Sequence, residues 1–486
     1  MVVPHTPQPC PRAQWPGGGG SRRVRRPAAD AEWSPFPLML PRCLLPVLLL
    51  WTMAAVASAE PGQFTLDQLL ERAWEHNTDV AVARLDVEGA RSRVKEARAA
   101  HLLPRLRLES FGGLVPDAEG DIFNPPGDTS GVRPLGPFVR AELQFIQPLY
   151  TFGQLSNLYD AASAGVDVER ADLEARRQDV ALEVKELYYG VLLAQDLSDL
   201  AARLRGELEQ WEPQVSPDNA DIPLGAPYKL RLALIELANR EREISDGLAL
   251  ARAALAWKVG LDESAAYSLG DQWLAPVNAD VPAVDALLET AIGHRPDWQK
   301  LGAGIAARSA QERAARSAFY PQVFLAGGLR YAAAPGRTDQ HNPFVKDEYN
   351  LLNGAVVLGL RQSFEFGMLN ADLDRARSLR LQLEARRQSA LQGIRLEIES
   401  AHGEVHRTEQ EREGALEARN LVREWVQIAR DEFELDPSQV KELVSAFEAL
   451  AGSEEAYYRA IFDFNMAVAR LERIVGVTLR DAGDTP

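Results

Sequence analysis

The chain has 486 residues, 46% of them apolar and 25% charged, with 53 bases against 70 acids and a formal net charge of −17. Such a composition buries a large core, which excludes disorder, and the acidity makes nucleic acid and anionic membrane surfaces poor partners. Both cysteines, Cys10 and Cys43, lie near the amino terminus, so the remainder has no thiol for a disulfide, a metal site or a nucleophile.

Residues 1–59 read as a leader. Arg22, Arg23, Arg25, Arg26 and Arg42 precede an apolar run from Leu44 to Val56, and Ala57-Ser58-Ala59 offers small residues for cleavage before Glu60. Met39 to Ala59 alone makes a complete secretory signal, so Met39 competes with Met1 as the start. The apolar run falls short of the roughly 20 residues that a spanning helix needs. Removing the leader takes away six Arg and two acids, which leaves 47 minus 68, or −21, and no cysteine. No later segment approaches about 18 uninterrupted apolar residues, so the exported protein is either soluble outside the cytoplasm or crosses a membrane as strands.

Beyond the leader, Thr65 is placed to cap a helix over Leu66 to His76, and a second helix runs from about Val80 to Ala100 until Pro104 stops it. The next segments alternate. Over 104–113, Leu106 and Leu108 oppose Arg107 and Glu109; over 138–148, Val139, Ala141, Leu143 and Phe145 oppose Arg140, Glu142 and Gln144. About 10 residues is the length at which a tilted strand crosses hydrocarbon, although a half-buried strand of a soluble sheet shows the same pattern. The segment between them, Leu114 to Pro137, is rich in Pro, Gly and Asp and reads as an external loop. A helix without proline follows over 153–211, then a turn at Glu212 to Pro227 and a return helix over 228–259 that ends at Gly260.

After a linker over 261–282 the plan is repeated. Strands are expected over 321–331 and 354–364, the second with a weaker pattern, with a polar loop from Ala332 to Asn353 between them. Helices are expected over 367–435 and 439–475, with a turn at Glu434 to Ser438 and a stop at Gly476. Leu69-Leu70-Glu71-Arg72-Ala73 is answered by Leu287-Leu288-Glu289-Thr290-Ala291, and LEARRQ occurs at Leu173 to Gln178 and again at Leu383 to Gln388. The offset drifts only from 218 (287 minus 69) to 210 (383 minus 173), so residues 60–260 and 283–480 are two copies of one unit, followed by a tail over 481–486. The two longest helices would reach roughly 88 and 100 Å. Their apolar positions step by threes and fours through Val180, Val184, Leu187 and Val191, and through Leu391, Ile394, Ile398, Ala401 and Val405, which is a coiled-coil seam. The fold class is therefore mainly α with a small β part of four strands. Four strands cannot close a barrel, so strands that meet lipid need other subunits to cover their edges.

Where the second strand hands over to the long helix, the chain reads QPLYTFGQ. Pro148 is expected to end strand pairing, Tyr150 and Phe152 bring interfacial aromatic mass, and Gly153 lets the backbone turn. This junction, repeated hairpins and paired giant helices together resemble the outer membrane efflux protein family, over nearly all of Phe64 to Leu479. The matching junction residues are Gln147, Pro148, Leu149, Tyr150, Gly153 and Gln154; in the second half only Phe364, Phe366 and Gly367 correspond, and the proline is missing. The resemblance implies a homotrimer with a 12-stranded β-barrel in the outer membrane of a Gram-negative bacterium and a periplasmic α-helical tunnel. It further implies a passive export duct for small molecules or proteins in a tripartite efflux or type I secretion system, working with a periplasmic adaptor and an inner membrane pump. Outer membrane lipid is then a partner and nucleic acid is not. The far helix ends, EQWEPQVSPDNADIPLG and DEFELDPSQV, lack the Tyr-x-x-Gly turn common in relatives that dock adaptors tip to tip, which weakens that part of the expectation.

At the second tip, Asp431, Glu434 and Asp436, with Glu432, would form an acidic ring around a trimer axis that favours cations and can constrict the exit of the tunnel. Asp436 followed by Pro437 is equally the signature of a helix cap. His402 and His406 are four apart, but Glu399 and Glu409 beside them favour a solvated face over a metal site. No residue set favours an enzyme, and neither a metal nor a cofactor is expected. The competing reading is a soluble periplasmic coiled-coil adaptor or scaffold, which leaves two pairs of bilayer-length strands unexplained.

Overall fold

A computed structural model describes residues 62–120, 123, 133–215, 222–262 and 267–479. The leader, the centre of the first external loop and much of the first helical turn lie outside the described residues. Strand β1 (Gly62–Phe64) leads into α1 (Leu66–His76), capped as its sequence suggests: the Thr65 hydroxyl accepts from the Gln68 N–H and the Gln68 side chain accepts from the Thr65 N–H. Helix α2 (Thr78–Leu102) follows without a loop, its first turn capped by Asn77.

Strands β2 (Arg105–Pro116) and β3 (Leu135–Tyr150) form an antiparallel hairpin that runs straight into α3 (Gln154–Trp211). At 58 residues α3 is roughly 87 Å long. It returns as α4 (Ala226–Lys258). The second half then presents β4 (Tyr267–Leu269), α5 (Val284–His294), α6 (Pro296–Ser317), β5 (Gln322–Ala333), β6 (Leu351–Arg361), the 70-residue α7 (Phe366–Leu435), a 3₁₀ turn (Pro437–Gln439) and α8 (Val440–Val475). Gly260 and Gly476 both adopt positive φ where α4 and α8 stop, the left-handed conformation that glycine enters without a Cβ penalty.

Two sheets result. A small parallel pair, β1 with β4, joins the start of the first half to the linker between the halves. Sequence gave no warning of it, because three residues are too few to show a period. The main sheet has the order β2-β3-β5-β6, all antiparallel, so the two hairpins lie side by side through β3 and β5.

The helical part packs as two long hairpins. α3 lies against α2, α4, α6 and α8, and α7 against α5, α6 and α8. Val180, Val184 and Val191 of the first seam and Ile394, Ile398 and Val405 of the second are buried, while Leu391 is exposed. One core joins α1, the middle of α3, the end of α4 and β4; a second fills the tip between α3, α4, α7 and α8; a third packs α5 onto α7 and α8.

The linker is held down by buried Leu274, by Val277, Ala279 and Val281 packed against the cores, and by hydrogen bonds from buried polar side chains. Asn465, 1% exposed on α8, accepts from the Val277 N–H at 2.9 Å and donates to the Ala275 carbonyl at 2.9 Å. Buried Asp196 of α3 accepts from the Leu274 N–H, and the Tyr188 hydroxyl donates to Asp271 at 2.7 Å. Burial pushes the Asp196 carboxyl above its ordinary range, and the Tyr188 phenol likewise, further helped there by Asp271.

Candidate functional site: the strand sheet and its junction with the helices

Register decides what the main sheet can face. Pairing puts Leu106 opposite Phe145, Leu108 opposite Leu143, Leu143 opposite Leu329 and Leu325 opposite Leu358. Along that face the strands present only apolar residues and glycines apart from Ser110 and Gln147. The alternate face holds Glu109 opposite Glu142, Glu142 opposite Arg330 and Arg330 opposite Asn353. The weak pattern of β6 resolves once its partner is known: Leu352, Val356, Leu358 and Leu360 fall on the apolar face. Leu106, Leu108, Val356, Leu358 and Leu360 are all more than half exposed in the single chain. A sheet with one uncharged, exposed face and one charged face is suited to lie between hydrocarbon and water.

At the helix-side end of that sheet, the junction departs from the simple reading of its sequence. Pro148 does not end pairing: it lies opposite Phe324, and the ladder continues to Tyr150 opposite Val323, with a bulge at Leu149. β2 accompanies β3 only as far as Ile146, so Pro148 sits where the strand is flanked on one side alone, a setting that tolerates a missing N–H. The bulge has a consequence for Tyr150. Without it, alternation would put this ring on the charged face; the extra residue re-aims it to the apolar one.

Tyr150 meets Phe152 edge to face at 4.7 Å between centroids, and Phe152 stacks on Tyr320 at 5.4 Å. Tyr320 was missed in the sequence, where it reads only as the residue before Pro321. The second half builds a comparable pair from Phe364 and Phe366, 5.9 Å apart. Phe152 (φ 51) and Gly153 (φ 89) are consecutive left-handed residues, which is how the chain turns from strand to helix without a loop. Buried Thr151 accepts from the Leu155 N–H, and Gln154 accepts from the Gln322 side chain at 2.5 Å, tying the turn to β5. Gln147 donates to the Pro148 carbonyl.

Gly367 is not the counterpart of Gly153. It lies inside the first turn of α7 with ordinary helical φ and open space around it, and Glu365 takes the capping position. β6 stops at Arg361 and α7 starts at Phe366, so a short connecting segment, without a left-handed residue, carries the chain from strand to helix.

At the far tip, Asp431, Glu434 and Asp436 are exposed. They are not equivalent. Asp436 accepts from the Ser438 N–H at 3.0 Å, and the Ser438 hydroxyl, together with that N–H, holds its carboxyl below the ordinary range. Asp431 accepts from Gln427, while Phe433 between them is buried edge to face against Trp211. His402 and His406 touch edge to face at 4.6 Å. Among the described residues no group of three or more His, Cys, Asp or Glu is placed to hold a metal, and no helix is long and apolar enough to cross a membrane.

The sequence profile of the outer membrane efflux protein family matches residues 69–205 and 287–476. The two matched segments begin at Leu69 and Leu287, the equivalent positions of the repeat, and together cover more than half of the chain. The chain belongs to the outer membrane efflux protein family. That membership places it in the outer membrane as an efflux channel protein, in a family of channels and not of enzymes. Solved structures agree in fold. CusC superposes with a TM-score of 0.68 at 19% identity, over 85% of this chain and 92% of its own. The outer membrane protein VceC of Vibrio cholerae gives 0.67 at 18% identity over 85% and 97%, and the open state of the MtrE outer membrane channel of Neisseria gonorrhoeae 0.67 at 18% over 86% and 91%. No curated protein matches the chain.

Proposed function

We propose that three copies of this chain close one 12-stranded barrel in the outer membrane, continued by a periplasmic tunnel of helices. The assembly is then the passive duct of a tripartite efflux or type I secretion system, energised through a periplasmic adaptor and an inner membrane pump. The observation that carries the reading is the four-stranded sheet with an uncharged face and two open edges. β2 and β6 each leave one row of backbone N–H and C=O groups unpaired, which hydrocarbon does not tolerate, so β6 of one copy must meet β2 of the next. α4 carries a matching stripe: Tyr228, Leu232, Ile235, Leu250 and Trp257 are more than half exposed and share one helix face, which suits helix packing between neighbouring copies.

In that assembly the rings of Tyr150, Phe152, Tyr320, Phe364 and Phe366 sit at the lipid–water boundary on the periplasmic side. Asp431 and Glu434 contribute to an acidic ring at the tunnel tip, whereas Asp436 serves mainly as the cap of the turn. Reconstituted in a planar bilayer, the protein is expected to form conducting pores. Inserted protein that never conducts would overturn the reading. Divalent cations are expected to block the pores from the tip side less strongly in the Asp431→Asn, Glu434→Gln variant; block of undiminished strength would remove the gate from it.

A further inference from the structure

The polar face of the main sheet carries every charged side chain of its four strands: Arg105, Arg107, Arg140, Arg330 and Arg361 against Glu109 and Glu142. Five minus two is +3 per chain, in a sequence whose total is −17. The sign of this face is therefore opposite to that of the protein as a whole.

The local pairing leaves cationic charge uncompensated. Glu109 lies 2.5 Å from Arg107. Glu142 is shared: the Arg330 guanidinium approaches it at 3.2 Å and Arg140 at 3.6 Å, and the Gln144 amide donates to it at 2.7 Å. One carboxylate cannot neutralise two guanidinium groups, so this cluster keeps a net positive charge halfway along the strands. Arg330 remains 46% exposed, and its same-face neighbours on β5, Gly328 and Ala332, are too small to cover it. Arg105 and Arg361 add charge where β2 begins and β6 ends, at the helix-side rim, Arg361 with its guanidinium 4.9 Å from the Phe324 ring.

We propose that the barrel lumen is an anion-selecting zone of the duct, favouring solutes that carry carboxylate, sulfate or phosphate groups. Arg140 and Arg330 set the preference and Glu142 limits it. The inference rests on the barrel reading above, because closing the barrel repeats this cluster around one aqueous bore where wall charges of one sign reinforce each other. It also gives the duct two ends of opposite character, a basic barrel and an acidic tip.

The test is the chloride-to-potassium permeability ratio, read from the reversal potential of reconstituted pores under a KCl gradient. Arg330→Gln and Arg140→Gln are each expected to lower the ratio about two- to fivefold, since three screened charges are removed at once. Glu142→Gln is expected to raise it, and Arg330→Lys, which keeps the charge, to hold it. With the tip acids removed by Asp431→Asn and Glu434→Gln, the ratio is expected to exceed one. Conducting pores that prefer potassium in that background, or whose ratio ignores Arg330→Gln and Glu142→Gln, would overturn the inference and leave the duct standing. Inserted protein without conductance would overturn both.

Discussion

Gly153 and Gly367 each follow a phenylalanine at a junction but hold different structural places and opposite conformations, and the difference can be measured. A side chain at Gly153 must adopt φ +89 and meets Asn157 at 3.2 Å, so Gly153→Ala is expected to cost about 1–2 kcal/mol. Gly367→Ala meets open space in a helix and is expected to stabilise by roughly 0.5–1 kcal/mol. Opposite shifts of the thermal midpoint in detergent would bear this out; equal shifts would contradict it. Asp436 has a pH signature of its own. Its carboxyl is held below the ordinary range, so its contribution to the tip turn is complete above that range and is lost as pH falls through the folded-state value. Exchange of the Ser438 amide, corrected for its intrinsic rate, should speed up over that interval. In Asp436→Asn, which keeps an acceptor but does not titrate, the step should vanish. The cap was legible in the sequence because Asp-Pro is a local signal. The left-handed Phe152 was not, because nothing in a phenylalanine announces positive φ; only its position before Gly153 hinted at a turn.

At the scale of elements, the helices and three of the four strands could be read from periodicity, since each repeats its pattern over many residues. The face of β6 could not: Leu351, Leu352, Val356, Val357 and Leu358 interrupt alternation, and only pairing to β5 assigns them. Nor could the anchoring of the linker. Asn465 sits in a run of buried residues, Phe464 to Ala469, where sequence alone suggests a core helix face and gives no sign that a polar side chain there serves a distant loop. Replacing it with leucine keeps the bulk and strands the Val277 N–H and Ala275 carbonyl. The expected cost is about 2–3 kcal/mol, with early proteolysis near residues 270–278. Unchanged protease resistance would show that the linker is held by its apolar contacts instead. Glu472 tests a different device. It lies 2.5 Å from Lys185 with both side chains nearly buried, and it also accepts from the Leu479 N–H. Glu472→Ala leaves Lys185 buried without its partner, at an expected cost of about 3–5 kcal/mol in thermal or denaturant unfolding.

For the whole molecule, the two halves agree where they build wall and diverge where they make connections. LEARRQ lies in α3 and again in α7, each copy about 20 residues beyond its junction, and each touches a tryptophan: the Arg177 carbonyl accepts from the Trp74 indole, and Arg387 lies 4.7 Å over the Trp298 ring. The junctions differ in their glycines and the tips in the length of their turns. Duplication was readable because identity survives in the helices; the closed assembly was not, because a barrel made of several chains is written in the unpaired edges of each. Those edges give the most direct test. Protein extracted in mild detergent from the outer membrane fraction should have the mass of three mature chains and fall to one on heating. A single chain recovered from the osmotic-shock fluid would contradict it.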